Sequence, residues 1–179
     1  MVRFDLRWHD PHSRRRQVNP AGTERHVPVR QLYEEMFSRG RYELTDQVFA
    51  KGCPVHFGNR HIRLEDAVAE GKGWRSAAPN LMMTVDEITT NGDMVHVVWI
   101  AKATHTGHGH GLKPTGKLVL LRGRSHFRVL NGKIYEAWNE EYRPELLRQL
   151  GVSKTHAFFL LSTMNLLSAI KLLISNLSV

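Results

Sequence analysis

The chain has 179 residues, 41% hydrophobic and 23% charged, enough to bury one domain's core. Seven of its 25 Lys and Arg fall in the first 30 residues. The body is therefore less basic than the net charge of +8 implies, and its basic residues sit at solvated-face spacing without interleaved aromatics, so nucleic acid is not an expected partner. The single cysteine, Cys53, excludes an internal disulfide framework and fits a reducing, cytoplasmic setting, where a lone thiol is most often a small buried hydrophobe.

Residues 1–28 carry Arg, His and Pro throughout, including the run Arg14 to Arg16, with no continuous apolar stretch of the kind a secretory leader needs. They read as a basic, flexible arm. The body is expected over residues 29–151. Leu32, Tyr33, Met36 and Phe37 recur at helical spacing before Gly40 ends the run, and a second short helix follows through Leu44, Val48 and Phe49. Residues 53–57 alternate as a short strand with His56 near its end. A third helix starts near Leu64 and passes Ala67, Val68 and Trp74, made irregular by Gly71 and Gly73 and broken at Pro79.

From Leu81 the period changes to two. One strand runs to the turn at Asn91, Gly92 and Asp93, and a second continues from Met94. Lys117 to Leu130 and Lys133 to Glu141 form a second hairpin across Asn131 and Gly132. Two hairpins, one early strand and three leading helices predict an α+β architecture. A short helix over Pro144 to Leu150 closes the body. Residues 152–179 add an extension whose segment 157–179 is rich in Leu, Ile and Phe, with Ser162, Asn165, Ser168, Lys171 and Ser175 drawing a polar stripe. It is expected to be an apolar helix packed on a second subunit or across a pocket mouth. Membrane contact through 157–179 is the lesser reading, given Lys171 and the hydroxyls.

The most specific signal lies in residues 104–138. The chain there reads THTG, then PTG at 114–116, a basic strand, Phe127-Arg128, the turn Gly132-Lys133-Ile134, and finally EAWN at 136–139. In this order it resembles the SnoaL-like polyketide cyclases of the nuclear transport factor 2-like superfamily, whose members typically end the series in EHWD. The resemblance covers residues 29–151. It implies a curved antiparallel sheet wrapped around N-terminal helices as a cone with a deep pocket, here followed by the C-terminal helical extension. It also implies a homodimer, with a second copy covering the exposed sheet face, and chemistry without cofactor or metal.

Asn139 stands where the resemblance places an aspartate. Strand alternation puts Ala137, Asn139 and Glu141 on one face, and Gly123, Ser125 and Phe127 on one face of the strand before. In the aldol-type cyclases a histidine on that neighbouring strand accompanies the aspartate, and the matching position here is Ser125. An asparagine cannot deliver a proton, yet its NH2 can donate a hydrogen bond to a developing oxyanion. The acid or base must then come from elsewhere in the pocket. The candidates are His56, matching a histidine common at the end of the family's first strand, His105 of the THTG motif, and Glu141, with His56 preferred over His105. Tyr33, Trp74, Trp99, Ser125, Phe127 and Ala137 are the expected substrate-binding wall. His105, His108 and His110 could suggest a metal, but three glycines loosen that loop and no carboxylate or cysteine accompanies it. Asp86 and Glu87 are sequence neighbours and should point to opposite faces, which argues against a paired-carboxylate mechanism there.

These features give an expected cofactor-independent enzyme of natural-product biosynthesis, a cyclase or isomerase acting on a hydrophobic, polyketide-like or terpenoid-like substrate. The alternatives are an epoxide hydrolase-like ring opening, for which no aspartate-arginine-aspartate arrangement is found, and a non-catalytic small-molecule-binding or partner protein of the same fold.

Overall fold

The computed structural model of the chain describes residues 20–140, 142–153 and 162. Glu141, the arm before residue 20 and the C-terminal extension from residue 154 onward, Ser162 excepted, lie outside the described residues. In chain order the elements are α1 (Pro20–Arg30), which continues as a π-helical stretch (Gln31–Phe37), a 3-10 turn (Tyr42–Leu44), α2 (Thr45–Val48), β1 (Val55–Phe57) and β2 (Arg60–Ile62). They are followed by α3 (Leu64–Ala77), β3 (Met82–Asn91), β4 (Met94–Thr104), β5 (Leu118–Leu130), β6 (Lys133–Asn139) and α4 (Arg143–Leu150). Helix α1 begins eight residues before the expected boundary at Pro28, so residues 20–28 belong to the helix rather than to an arm. Among the described residues no helix is long and apolar enough to cross a membrane.

Two glycine turns build the sheet. Gly92 has φ 61°, and Asn131 and Gly132 have φ 48° and 73°, the doubly positive geometry that lets a two-residue turn match the twist of its strands. The resulting hairpins join into one six-stranded sheet of order β2-β1-β6-β5-β4-β3. All its pairings are antiparallel except β1 with β6, which run parallel. The short strand β2 was not expected from the sequence.

Strict alternation along β4 and β5 buries one face and leaves the other open. The helical segment lies against the buried face through Val29, Leu32, Tyr33 and Met36. A bulge in β3 between Val85 and Glu87 breaks the alternation expected there. Asp86 and Glu87 consequently meet the same partner, Arg122 Nη2, at 3.0 and 3.1 Å, and both are exposed. The expectation that they point to opposite faces is corrected by this bulge.

Beyond the end of β6, the upper half of β5 has a free edge. Gln149 of α4 fills it, donating from Nε2 to the Leu120 carbonyl (2.8 Å) and accepting from the Leu120 amide at Oε1 (2.9 Å). Its helix thereby brings Leu146 and Leu150 to the wall of the interior cavity.

Gly123 on β5 sits opposite Trp99 on β4, and a Cβ there would come within 2.3 Å of the indole. Glycine is what allows the ring to lie flat on the strand. Gly123→Ala should therefore destabilise the protein by about 1–3 kcal/mol, as overpacking does. Urea denaturation with an unchanged midpoint would contradict this packing.

Candidate active site

A cavity of about 160 Å³ opens between the buried sheet face, α3 and α4, and its wall is overwhelmingly apolar. The structure brings Tyr33, Trp74, Trp99, Phe127, Ala137, Asn139 and His105 to this wall. Ser125, fully buried, stands just behind it.

Ser125 organises one end. Register places it directly opposite Asn139, as β5 and β6 pair. Tyr33 Oη and Trp99 Nε1 each donate to Ser125 Oγ at 3.0 Å. A hydroxyl has two acceptor lone pairs and one proton. With both lone pairs used, the Ser125 proton goes to Asn139 Oδ1, at 2.8 Å. That bond fixes which way the amide points, so Nδ2 faces away from the serine. One of its hydrogens reaches the His56 carbonyl over a long 3.4 Å. The other is left for the cavity. Burial raises the Tyr33 hydroxyl well above the ordinary tyrosine pKa, so it stays a neutral donor.

His56 is not in the cavity. Its strand neighbours Val55 and Phe57 line it, and by alternation His56 projects from the opposite face. The parallel register aligns His56 with Trp138, and the two rings stack at 5.5 Å and 7°. His56 Nε2 meets Glu136 Oε1 at 3.1 Å and its Nδ1 meets His61 Nδ1 at 3.2 Å. The preference for His56 over His105 as the pocket acid or base is overturned by this geometry. Only its backbone carbonyl touches the site, through Asn139.

His105 does face the cavity. It is 3% exposed, its Nδ1 is held by Thr115 Oγ1 at 3.1 Å, and its Nε2 is buried with no partner among the described residues. Burial, with the nearby charge of His108, lowers its pKa below the ordinary 6.5, so the ring is neutral at neutral pH. His110 turns elsewhere, stacking on Trp74 with ring centroids 3.9 Å apart and bonding the Glu70 carbonyl at 3.2 Å. Glu141 lies outside the described residues. Cys53 is buried and its thiol is pushed up to about 12, mainly by desolvation, which leaves it a hydrophobe rather than a nucleophile.

Two polar cavity residues were missed from the sequence, Glu70 and Tyr42. The signal was present for Glu70: Ala67, Glu70, Gly71, Trp74 and Ala78 follow the three-to-four spacing of one helix face, on which a carboxylate is out of place.

Removing the Ser125 hydroxyl would leave two buried donors unmatched, each costing about 1–3 kcal/mol. Ser125→Ala should therefore destabilise the fold more than Tyr33→Phe does, and adding Tyr33→Phe to Ser125→Ala should cost less than it does alone. Denaturant titration showing Ser125→Ala to be neutral would contradict the network.

A model of the SnoaL-like polyketide cyclase family matches residues 27–150. Among solved structures, the chain is similar to AclR, a proposed hydroxylase of Streptomyces galilaeus, at 25% identity and a TM-score of 0.64, covering 72% of this chain and 96% of that one. It is similar to IdmH, a proposed polyketide cyclase of Streptomyces antibioticus, at 26% identity and a TM-score of 0.61, covering 70% and 97%. A SnoaL-like protein of a Jannaschia species shares the fold at 20% identity and a TM-score of 0.66, over 75% and 96%. Comparison with curated protein sequences gives no match.

Proposed function

The chain belongs to the SnoaL-like polyketide cyclase family, and from that premise we propose that it is a cyclase-type enzyme acting on a hydrophobic, polyketide-like ketone. The observation that carries this reading is the apolar cavity holding two differently equipped groups, an amide N–H at Asn139 and a neutral, unpartnered imidazole nitrogen at His105. In the proposed reaction His105 Nε2 takes a proton from the carbon next to a ligand carbonyl. The C–H electron pair becomes the enolate double bond. His105 follows the Thr104–Leu118 pair and Asn139 faces Ser125, seven β5 residues further on or roughly 23 Å along the strand, so Asn139 Nδ2 donates its hydrogen bond to a different, distant carbonyl of the ligand and positions the chain for His105. The enolate carbon attacks a second carbonyl of the same ligand, forming the ring bond, and the proton on His105 passes to the new alkoxide. Atoms and charge balance without a cofactor.

The lowered pKa of His105 keeps it in the basic form at neutral pH, although it also weakens it as a base. Desolvation in the apolar cavity strengthens the hydrogen bond from Asn139. On the outer face Leu118, Leu120 and Met82 are all more than half exposed, an apolar surface that suits the proposed homodimer. A binding protein that keeps the cone without catalysis is the competing reading, favoured by the neutral Ser125 and Asn139 pair in place of the family's histidine and aspartate.

The half-reaction can be tested on a simple aryl diketone. In heavy water, 2,6-diacetylnaphthalene, with a carbonyl at each end, should exchange its methyl protons faster with the protein than without, as followed by proton NMR. His105→Gln should slow the catalysed exchange on the order of 100-fold while ligand affinity changes much less, and Asn139→Ala should instead weaken ligand binding severalfold. Binding without catalysed exchange by the unmodified protein would favour the non-catalytic reading. Normal exchange by His105→Gln and unchanged affinity in Asn139→Ala would remove these two residues from the mechanism.

A further inference from the structure

The helical wall of the cavity carries hydrogen-bonding atoms that no neighbour uses. Glu70 and Trp74 are four residues apart on α3, hence on one helix face, and both line the cavity. Glu70 Oε1 and Trp74 Nε1 are buried with no hydrogen-bond partner among the described residues, and Tyr42 Oη is a third such atom. Tyr42 lies against this helix. A Cβ at Gly71 would come within 3.4 Å of its hydroxyl, so glycine there makes room for the phenol next to Glu70.

The wall is backed by two further side chains. Arg60 Nη2 forms an ion pair with the other Glu70 oxygen at 3.6 Å, longer than a hydrogen bond, and His110 both stacks on Trp74 and bonds the Glu70 carbonyl. These contacts leave Oε1 and the indole N–H as the free polar pair. Buried polar atoms without partners are costly in an apolar surround and rare in native proteins, and here they share one cavity wall. This is the arrangement of a site whose partner is the ligand.

The chemistry of the pair narrows that ligand. An ionised carboxylate only accepts, and an indole N–H only donates. A carbonyl would satisfy Trp74 but not Glu70, an ammonium would satisfy Glu70 but not Trp74, and a second carboxylate would be repelled. Among the groups of a hydrophobic, polyketide-like ligand, a hydroxyl serves both at once, donating to Glu70 and accepting from Trp74. We propose that Glu70 and Trp74, with Tyr42 beside them, form a specificity subsite for a phenolic or enolic hydroxyl on the ligand. This subsite rests on the reading of the cavity as a ligand site. It lies on the α3 wall, whereas Asn139 belongs to the sheet wall, so the ligand carries a hydroxyl as well as the carbonyl that Asn139 polarises.

Equilibrium dialysis of the full chain against 2-naphthol and 2-methylnaphthalene, nearly equal in shape and differing in the hydroxyl, tests the subsite. The unmodified protein should bind 2-naphthol at least about tenfold more tightly. Glu70→Leu and Trp74→Phe should each reduce that preference severalfold or more while keeping 2-methylnaphthalene affinity, which also reports that the variants fold. Asn139→Ala should keep the preference. Equal binding of the two compounds by the unmodified protein overturns the subsite and leaves the cavity reading standing. A preference that survives Glu70→Leu and Trp74→Phe but vanishes in Asn139→Ala also overturns it, by placing the hydroxyl at the sheet wall. If neither compound binds, both the subsite and the proposed function fall.

Discussion

One buried oxygen, Ser125 Oγ, ties together four parts of the fold. Tyr33 reaches it from the N-terminal helical segment, Trp99 from β4 and Asn139 from β6, while Ser125 itself belongs to β5. A hydroxyl can make three hydrogen bonds, and this one makes three. Neither an alanine nor a larger side chain could take its place without stranding a buried donor or displacing a ring. The same demand reaches back to Gly123, since the indole can aim its N–H at Ser125 only by lying on a strand position with no side chain. The packing of the core and the direction of the Asn139 amide are therefore one constraint.

That constraint explains how a site in this fold can be organised without a charge at the position after the tryptophan. An ionised carboxylate buried here would face a desolvation cost and a serine with a single proton to give. The amide matches the serine with its oxygen and keeps a donor for the cavity, and its orientation does not change with pH. Titration is left to His105, whose Nδ1 is engaged by Thr115 and whose Nε2 is open to the cavity. Binding geometry and proton transfer are thus carried by separate walls. An apolar cavity makes each polar atom that remains in it count for more, including the unpartnered atoms of Glu70 and Trp74 on α3.

Much of this was legible in the sequence. The long strands announced themselves by a period of two, and the Asn-Gly turns fixed both hairpins. Counting from the second turn alone would set Ser125 opposite Trp138; a bulge at Tyr135 shifts the register by one and brings Asn139 there instead. Parity then grouped Ala137 with Asn139 on β6 and Phe127 with Ser125 on β5, and the family resemblance assigned the Asn139 face to the cavity. His56 went astray because a three-residue strand gives no stable parity of its own, and its face depends on a parallel register with β6 that no local pattern encodes. Strand β2 is equally short. Glu70 was obscured by Gly71 and Gly73, which make α3 read as irregular although it is continuous over 14 residues. Asp86 and Glu87 were misassigned because a bulge adds one residue that counting by twos cannot foresee. Pro28 reads as a boundary, yet here it sits inside α1. Local chemistry was readable wherever the chain repeats; contacts set by non-local register were not.

The most direct test of the central claim is to watch the Asn139 side-chain amide itself. Its two N–H signals can be assigned by their loss in Asn139→Ala and followed in a nitrogen-proton NMR titration with 2,6-diacetylnaphthalene. If Ser125 orients the amide so that one hydrogen bonds the His56 carbonyl and the other faces the cavity, one proton should move downfield as the ketone saturates the site while its partner moves far less. Two unmoved signals at saturation would mean that Asn139 does not meet the ligand carbonyl.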